Sequence, residues 1–367
     1  KDYDINKKEN KQVYYDRAKE ELNILNELGF VDYILLNWDI LEFCHRNEIP
    51  TGPGRGSAAG SLVLYLIGVT KIDPVENDLF FERFVSKSRA RKIEKRGKTY
   101  LDGSLLADID NDIAYEHRPK VIEYIEKKHP GRTAKILTLN TLSGKLCMKE
   151  CIKIVGDLDE SEASRVSDMI PKQFGKVLPL CQAYEESEDF KKWADENEEI
   201  FSVAKGIESL NKNTGVHPSG IAISRSKISD ICPTQKNSDG VLITGYDMNW
   251  VAELMVKFDI LGLRTLSVID DTCKLIGIKA EEIDMHSEDV YLPLQELNSP
   301  HGLFQIEAET DFKVCKKIKP KNIEELSAVL AIARPGALEF LPNYERYVQT
   351  GSFQSIHPFF DEVLGYT

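Results

Sequence analysis

The chain has 367 residues, 42% of them hydrophobic, with 47 Lys and Arg against 60 Asp and Glu for a net charge of −13. That length predicts two or three domains, the apolar content excludes disorder over most of the chain, and the acidic balance argues against nucleic-acid binding except through local patches. No run approaches 18 apolar residues, which excludes a membrane-spanning helix, and seven cysteines without a C-x-x-C pair predict reduced intracellular thiols instead of a disulfide framework or zinc ribbon.

The first predicted helix covers residues 11–28, with Ala18, Leu22 and Leu25 at helical spacing and Gly29 as its stop. A second carries Ile34, Trp38 and Leu41 on one stripe and ends near Pro50. Gly52-Pro-Gly-Arg-Gly-Ser-Ala-Ala-Gly-Ser61 then forms a tight loop entering an apolar helix, Leu62–Ile67. Asp73-Pro74 opens a short helix through Phe84, in which Phe80 and Phe81 are expected in the core together with Trp38. From Lys87 to Lys98 seven basic residues stand against the single Glu94, and Gly97 and Gly103 bracket a hairpin or loop. Leu105–Ile113 alternates strictly and predicts a strand, followed by a helix over Pro119–Lys128. Residues 157–200 hold thirteen acids against five bases in helical stretches broken by Pro171 and Pro179, which predicts a small separate domain. Short strands are expected at Gly220–Ser224 and Leu242–Thr244 and a buried one at Leu254–Ile260. From Leu266 onward the pattern is helical, with Lys313, Lys316 and Lys317 on one face.

Period two places Asp108, Asp110 and Asp112 on one face of their strand and Ile109 and Ile113 on the other. Three like charges about 6.6–7 Å apart along an edge raise one another's pKa unless a cation is present, and oxygen-only ligands suit Mg²⁺ or Mn²⁺. By itself the pattern also describes a solvated, acidic edge strand. The second element is Lys257-Phe-Asp259, where alternation puts Lys257 and Asp259 on one face of an apolar strand in which a charge needs a partner or a metal. Beside the acidic strand, Asp259 would complete a three-carboxylate cage for two divalent ions of the kind that drive in-line phosphoryl displacement.

Gly52, Gly54, Gly56 and Gly60 let backbone N–H groups approach a phosphate, Ser57 opens a helix whose positive end favours anions, and Arg55 adds a charged fork. Ser61 follows Gly60 where a Walker A loop needs Lys-Ser/Thr, so a P-loop ATPase is not expected. A tight turn feeding a closely packed helix explains the glycines equally without a ligand.

In combination these motifs are specific. G-P-G-R-G-S-A-A-G-S-L at 52–62, D-P-x-x-x-D-L-x-F-E-R-F at 73–84, D-I-D-N-D at 108–112 and K-F-D-I-L-G-L-R-T-L at 257–266 occur in that order. With Thr214-Gly-Val-His-Pro-Ser-Gly-Ile221, Gly302-Leu-Phe-Gln-Ile-Glu307 and Ala333-Arg-Pro-Gly336, the chain resembles the C-family bacterial replicative DNA polymerases, the alpha subunits of DNA polymerase III, from about Tyr14 to Tyr366. It departs from the usual family residues at Ala107, Ile113 and Gly245, and its basic stretch at 87–103 is longer than the typical connection.

The resemblance implies an α+β fold: a polymerase-beta-like nucleotidyltransferase palm, a mixed sheet with flanking helices, in residues 1–141 and 211–265. A helical thumb would occupy 142–210 and the start of a helical fingers domain 266–367. It implies template-directed addition of deoxynucleotides to a primer 3′-hydroxyl, with Asp110, Asp112 and Asp259 as catalytic residues holding two Mg²⁺ (or Mn²⁺). Arg55, Gly56, Ser57 and Lys257 would bind the nucleotide. Asp108 is not expected to be a direct ligand. Implied partners are primer–template DNA, deoxynucleoside triphosphates, the remaining polymerase domains, a sliding clamp and other replisome subunits, in a bacterial cytoplasm or a phage-infected one. The chain would then be a fragment of the catalytic subunit. The basic residues Lys87, Arg89, Arg91, Lys92, Lys95, Arg96 and Lys98 are candidate DNA-backbone contacts, or a solvated hairpin; the Lys313 face is open in the same way. His217 is expected to be structural, and Cys147 and Cys151, four apart on a helix, to be core. Two other classes stay open: an untemplated nucleotidyltransferase and a catalytically silent DNA- or subunit-binding module.

Overall fold

A computed structural model describes residues 5–87, 92–95, 98–101, 108–173, 176–237, 239–355 and 357–361. Contacts divide the chain into one unit of residues 1–140 and 211–280 and a second of residues 141–210 and 281–367.

The first unit begins with helices α1 (Lys11–Leu28) and α2 (Val31–Arg46). Gly29 stops α1 in the left-handed conformation, its N–H returning to the carbonyls of Leu25 and Asn26. The buried stripe of α1 is Tyr14, Glu21, Leu25 and Leu28, while Leu22 is exposed. In α2 it is Ile34, Asn37, Leu41 and Cys44, so Trp38, expected in the core, stands at its rim. In both helices a polar side chain holds a place that apolar periodicity assigns to a neighbour.

Glu21 shows why. The α-helix after the glycine loop, α3 (Leu62–Leu66), follows a 3₁₀ turn over Gly56–Gly60. Its first amides are already bonded: Leu62 and Val63 donate to the Glu21 carboxylate, as does the Ser61 hydroxyl, and Leu64 donates to Ser61 Oγ. Arg17 pairs with Glu21 at 3.0 Å and donates to the carbonyls of Gly60 and Leu79. Gly60 fits there because a Cβ would lie 2.5 Å from the Phe80 carbonyl oxygen. The expected helix from Asp73 is instead a turn and a 3₁₀ segment, Phe81–Arg83. Asp73 Oδ1 accepts from Val75 and Glu76, and Asp78 has φ 49°, which no α-helix continues through. Phe81 is buried and Phe80 exposed, since Phe80 supplies only its backbone to Gly60.

Strands β1 (Lys92–Lys95) and β2 (Lys98–Leu101) form an antiparallel hairpin. Leu105–Ala107 lie outside the described residues; the strand that follows, β3, runs Asp110–Ala114 and feeds α4 (Arg118–Lys128) and β4 (Thr133–Thr141). After the second unit's first segment, whose elements are given below, the chain returns in β7 (Asn211–Ile223), β8 (Thr234–Lys236), β9 (Leu242–Asp247), α10 (Met248–Leu254), β10 (Val256–Leu263) and α11 (Arg264–Ile276). One six-stranded sheet has the order β3-β10-β7-β4-β9-β8, parallel at β3/β10 and β4/β9 and antiparallel at β10/β7 and β8/β9. Leu254, expected in the last strand, ends α10 instead. Gly245, one of the departures, has its place explained: a Cβ there would meet the Pro233 carbonyl oxygen at 2.9 Å. Ile109, Ile113, Ile221, Ile223, Phe258 and Ile260 cover the helical face and pack with α1, α2 and α4.

The second unit's first segment, α5 (Gly144–Ile154), α6 (Glu160–Met169), a two-residue hairpin β5/β6 (Lys172–Gln173 and Lys176–Val177), α7 (Leu180–Glu186), α8 (Glu188–Glu196) and α9 (Glu198–Ile207), closes on its own core. Cys147 and Cys151 are buried in it, and burial pushes the Cys147 thiol up to about 11. Residues 281–367 add α12 (Leu292–Gln295), α13 (Glu309–Ile318), α14 (Ile323–Ile332) and α15 (Leu341–Thr350) around Val314, Cys315, Val329 and Ile332. Among the described residues no helix is long and apolar enough to cross a membrane.

Glu21 joins α1, α3 and the glycine loop through a buried charge, so removing it strands both Arg17 and two helix amides. Glu21→Ala is expected to cost about 3–5 kcal/mol, measured by chemical denaturation, with Leu22→Ala, next to it on the exposed face of α1, costing little.

Candidate active site

Parallel pairing sets Asp259 of β10 abreast of Asp110 of β3, and Leu261 abreast of Asp112. Because side chains alternate along each strand, Asp110, Asp112, Lys257 and Asp259 share the face opposite the buried isoleucines. The in-between residue, Asn111, points into the helical core, where its Nδ2 donates to Asn37 Oδ1 at 2.8 Å. Asn37 donates in turn to the Tyr33 carbonyl, and the Tyr33 hydroxyl accepts the Ile109 N–H. This buried polar chain pins β3 to α2 at the register that sets the aspartates outward.

β3 is the sheet's edge, and the start of the glycine loop covers it. Thr51 bridges Ile113, Gly52 N–H donates to the Asp112 carbonyl at 2.9 Å, and Ala114 N–H donates to Pro50. A Cβ at Gly52 would sit 2.8 Å from Asp112 Cβ, so the close approach demands glycine. Beyond it Gly54 and Gly56 have φ of 116° and 61° on either side of Arg55. Arg55 Nη1 lies 3.4 Å from Asp112 Oδ1 and its Nε 3.9 Å from Asp110 Oδ2. The loop therefore brings Arg55 beside the acidic strand, with Gly56 and Ser57 following it in the chain. Ser57, expected to open a helix, lies in the 3₁₀ turn Gly56–Gly60, and Glu21 and Ser61 take the N-terminal amides of the α-helix that follows.

Lys257 Nζ is 2.8 Å from Asp259 Oδ2, and the Ser219 hydroxyl donates to Asp259 Oδ1 at 3.3 Å. Burial raises the Asp110 and Asp112 carboxyls above the usual range against the opposing Arg55 charge; Asp259 and Asp108 push Asp110 further up, and Asp110 pushes Asp112. Asp108 is exposed and precedes the strand. Among the described residues no three His, Cys, Asp or Glu side chains converge as a group that could hold a metal ion. Each carboxylate of the cluster faces a side-chain cation instead.

Three further residues, Ser219, His217 and Arg118, support this arrangement. Ser219 follows Pro218 in a stretch whose Gly and Pro predict a turn, yet the backbone stays in β7. His217 Nδ1 accepts the N–H groups of Gly220 at 2.7 Å and Ser219 at 3.3 Å within the strand. Burial lowers the His217 pKa, consistent with a neutral, structural ring. Arg118, at the start of α4, donates from Nε to the Ile260 carbonyl at 2.8 Å and from Nη2 to that of Pro218, clamping β10 to β7. Of the basic residues, Lys87 pairs with Glu27 at 2.7 Å; Lys92, Lys95 and Lys98 lie in the β1/β2 hairpin, and Arg89, Arg91 and Arg96 lie outside the described residues. Lys313 pairs with Glu309 within α13, and Lys316 lies over the Phe312 ring.

Comparison with known proteins is consistent with this arrangement. The family model of the bacterial DNA polymerase III alpha NTPase domain matches residues 2–262, and that of the bacterial DNA polymerase III alpha subunit finger domain matches residues 265–367. The chain is 32% identical over 340 residues to DNA polymerase III subunit alpha of Bacillus subtilis (strain 168), covering 90% of this chain and 29% of that protein. It is 33% identical over 367 residues to the same subunit of Staphylococcus aureus (strain MRSA252), covering 97% and 33%, and 32% identical over 346 residues to that of Deinococcus radiodurans, covering 90% and 25%. The chain thus spans a third or less of the length of these relatives. The six-stranded mixed sheet with its helices is consistent with a polymerase palm carrying helical insertions. Since the glycine loop, the acidic strand and its parallel neighbour all fall inside the first matched region, the chain belongs to the bacterial DNA polymerase III alpha family.

Proposed function

We propose that this chain carries the reaction centre of a template-directed DNA polymerase that adds deoxynucleotides to a primer 3′-hydroxyl with release of pyrophosphate. The observation that carries the proposal is the register of β3 against β10, which brings Asp259 level with Asp110 although 149 residues separate them in sequence. Residues 1–141 and 211–265 would be the palm, 142–210 the thumb and 266–367 the start of the fingers.

Carboxylate oxygens are the donors that hard divalent cations prefer, and the raised carboxyls of Asp110 and Asp112 mark a cluster that gains from positive charge. By donor chemistry Asp110, Asp112 and Asp259 would hold two Mg²⁺ or Mn²⁺ ions once drawn together, since among the described residues no three such side chains converge on one ion as they stand. When bound, such ions supply activation of the primer hydroxyl and neutralisation of the triphosphate. The chain's own residues do the rest. Lys257 and Arg55 bind phosphate oxygens, the N–H groups at Gly56 and Ser57 receive charge that builds on them, and Ser219 holds Asp259 toward its neighbours. Gly52 keeps the loop backbone against Asp112, so the phosphate-binding and carboxylate groups share one rigid frame. Primer–template DNA and deoxynucleoside triphosphates are the substrates; the remaining polymerase domains, a sliding clamp and other replisome subunits are the partners, in the cytoplasm of a bacterium or of a phage-infected one. Lys87, Arg89, Arg91, Lys92, Lys95, Arg96 and Lys98 would hold the DNA backbone, and their charge reversal would then flatten the salt dependence of binding.

With the remaining polymerase domains supplied, Asp112→Asn is expected to lower templated primer extension by at least about a hundredfold to a thousandfold. Extension that persists, or incorporation that ignores the template base, would sink the proposal. The same substitution has a stability signature. A carboxyl whose pKa is raised in the fold is a cost when ionised, so in chelator Asp112→Asn should raise Tm at neutral pH. The gain should shrink as pH falls through the raised pKa, where the wild-type carboxyl becomes neutral too.

Gly52→Ala tests the frame instead of the charges. Its methyl group would push on Asp112, and extension is expected to fall on the order of a hundredfold in a protein that still folds by circular dichroism.

A further inference from the structure

We propose that Arg55 and Lys257 are exchangeable counter-cations of the carboxylate cluster, released to a nucleotide triphosphate when it binds, so that nucleotide and divalent-ion binding are coupled through a swap of partners. The inference rests on the polymerase reading and adds to it an order of events and a positioning role for Arg55.

Four observations support it. A single guanidinium spans two acids, 3.4 Å from Asp112 and 3.9 Å from Asp110, while Lys257 holds the third at 2.8 Å. In this arrangement no three carboxylates among the described residues form a group that could hold a metal ion, and each of the three acids is paired with one of the two cations instead. Arg55 is about a third exposed and sits between two glycines of positive φ. Its guanidinium is therefore reachable by a ligand while it lies on the carboxylates. Finally, Asp259 keeps a second hold: Ser219 bonds Oδ1 while Lys257 bonds Oδ2. Departure of Lys257 would leave that carboxylate oriented.

The energetics point the same way. The Arg55 pairs, at 3.4 and 3.9 Å with the guanidinium about a third exposed, are weak, and a triphosphate offers guanidinium and ammonium groups several charged oxygens and bidentate geometry. A cation that stays on the carboxylates repels an arriving divalent ion. By thermodynamic reciprocity, whatever removes Arg55 from the acids must strengthen ion binding, and whatever neutralises the acids must free Arg55 for phosphate.

Two binding measurements on the folded chain test this without any turnover. The first is Mn²⁺ binding without nucleotide, read by electron paramagnetic resonance. Arg55→Gln should bind Mn²⁺ on the order of tenfold more tightly than wild type, the scale of removing one partly screened charge beside a divalent ion, and adding Asp112→Asn should erase the gain. The second is binding of a fluorescent dATP analogue in EDTA. Asp112→Asn should bind it several-fold more tightly, and a double-mutant cycle with Arg55→Gln should assign most of that gain to Arg55. If Asp112→Asn weakens Mn²⁺ binding but Arg55→Gln leaves it unchanged, or if the cycle shows no coupling, the exchange is wrong and the metal-site reading survives. If Asp112→Asn leaves Mn²⁺ binding unaltered, the metal-site reading itself fails and takes the exchange with it.

Discussion

The parallel ladder between β3 and β10 is the constraint on which the site depends. It joins two short segments far apart in sequence, and its register puts Asp259 beside Asp110. A slip of one residue would exchange faces, sending aspartates into the apolar core and isoleucines outward. Much of the surrounding structure serves to forbid that slip. Ile109, Ile113, Phe258 and Ile260 fill the helical side, Asn111 is tied to Asn37, and Arg118 fastens β10 to the β7 backbone.

The glycine loop extends the same logic to the edge of the sheet. An open edge strand bearing two aspartates would be poorly held, and the Pro50–Gly52 segment covers it through backbone bonds. That contact also brings Arg55 to the carboxylates. On its far side the loop is anchored by Glu21, which occupies the α3 amides, and by Arg17, which takes the Gly60 carbonyl. Loop, acidic strand and first helix thus form one continuous hydrogen-bonded piece. The charges face each other because each backbone has a separate reason to lie where it does.

Several sequence expectations needed revision, and they share a cause. Trp38, Leu22 and Phe80 are apolar and correctly spaced, yet Asn37, Glu21 and Phe81 are buried nearby. Apolar periodicity cannot foresee a buried polar residue, since burial there is decided by a partner elsewhere in the chain: Asn111 for Asn37, Ser61 and the α3 amides for Glu21. The segment from Asp73 to Phe84 has helical composition, but Asp73 spends its carboxylate on a local turn. Glycine and proline around His217 imply a turn, whereas the backbone there runs on in β7 with Gly220 paired to Asp259 and the imidazole accepting the N–H groups of Ser219 and Gly220.

The sequence alone determined which residues are candidates for the site, because alternation within a strand and glycine spacing within a loop are local properties that a few consecutive residues express. Asp110, Asp112, Asp259, Lys257, Arg55 and Gly52 were all legible in that way, and order along the chain linked them to one family. Which of them meet, and through whom, was decided only by tertiary structure. The pairing of β3 with β10, the seat of Arg55 astride two carboxylates and the support from Ser219, Arg118 and Glu21 arise from contacts between residues tens to more than a hundred positions apart. Such contacts depend on the packing of whole elements against one another, and no window of neighbouring residues encodes them.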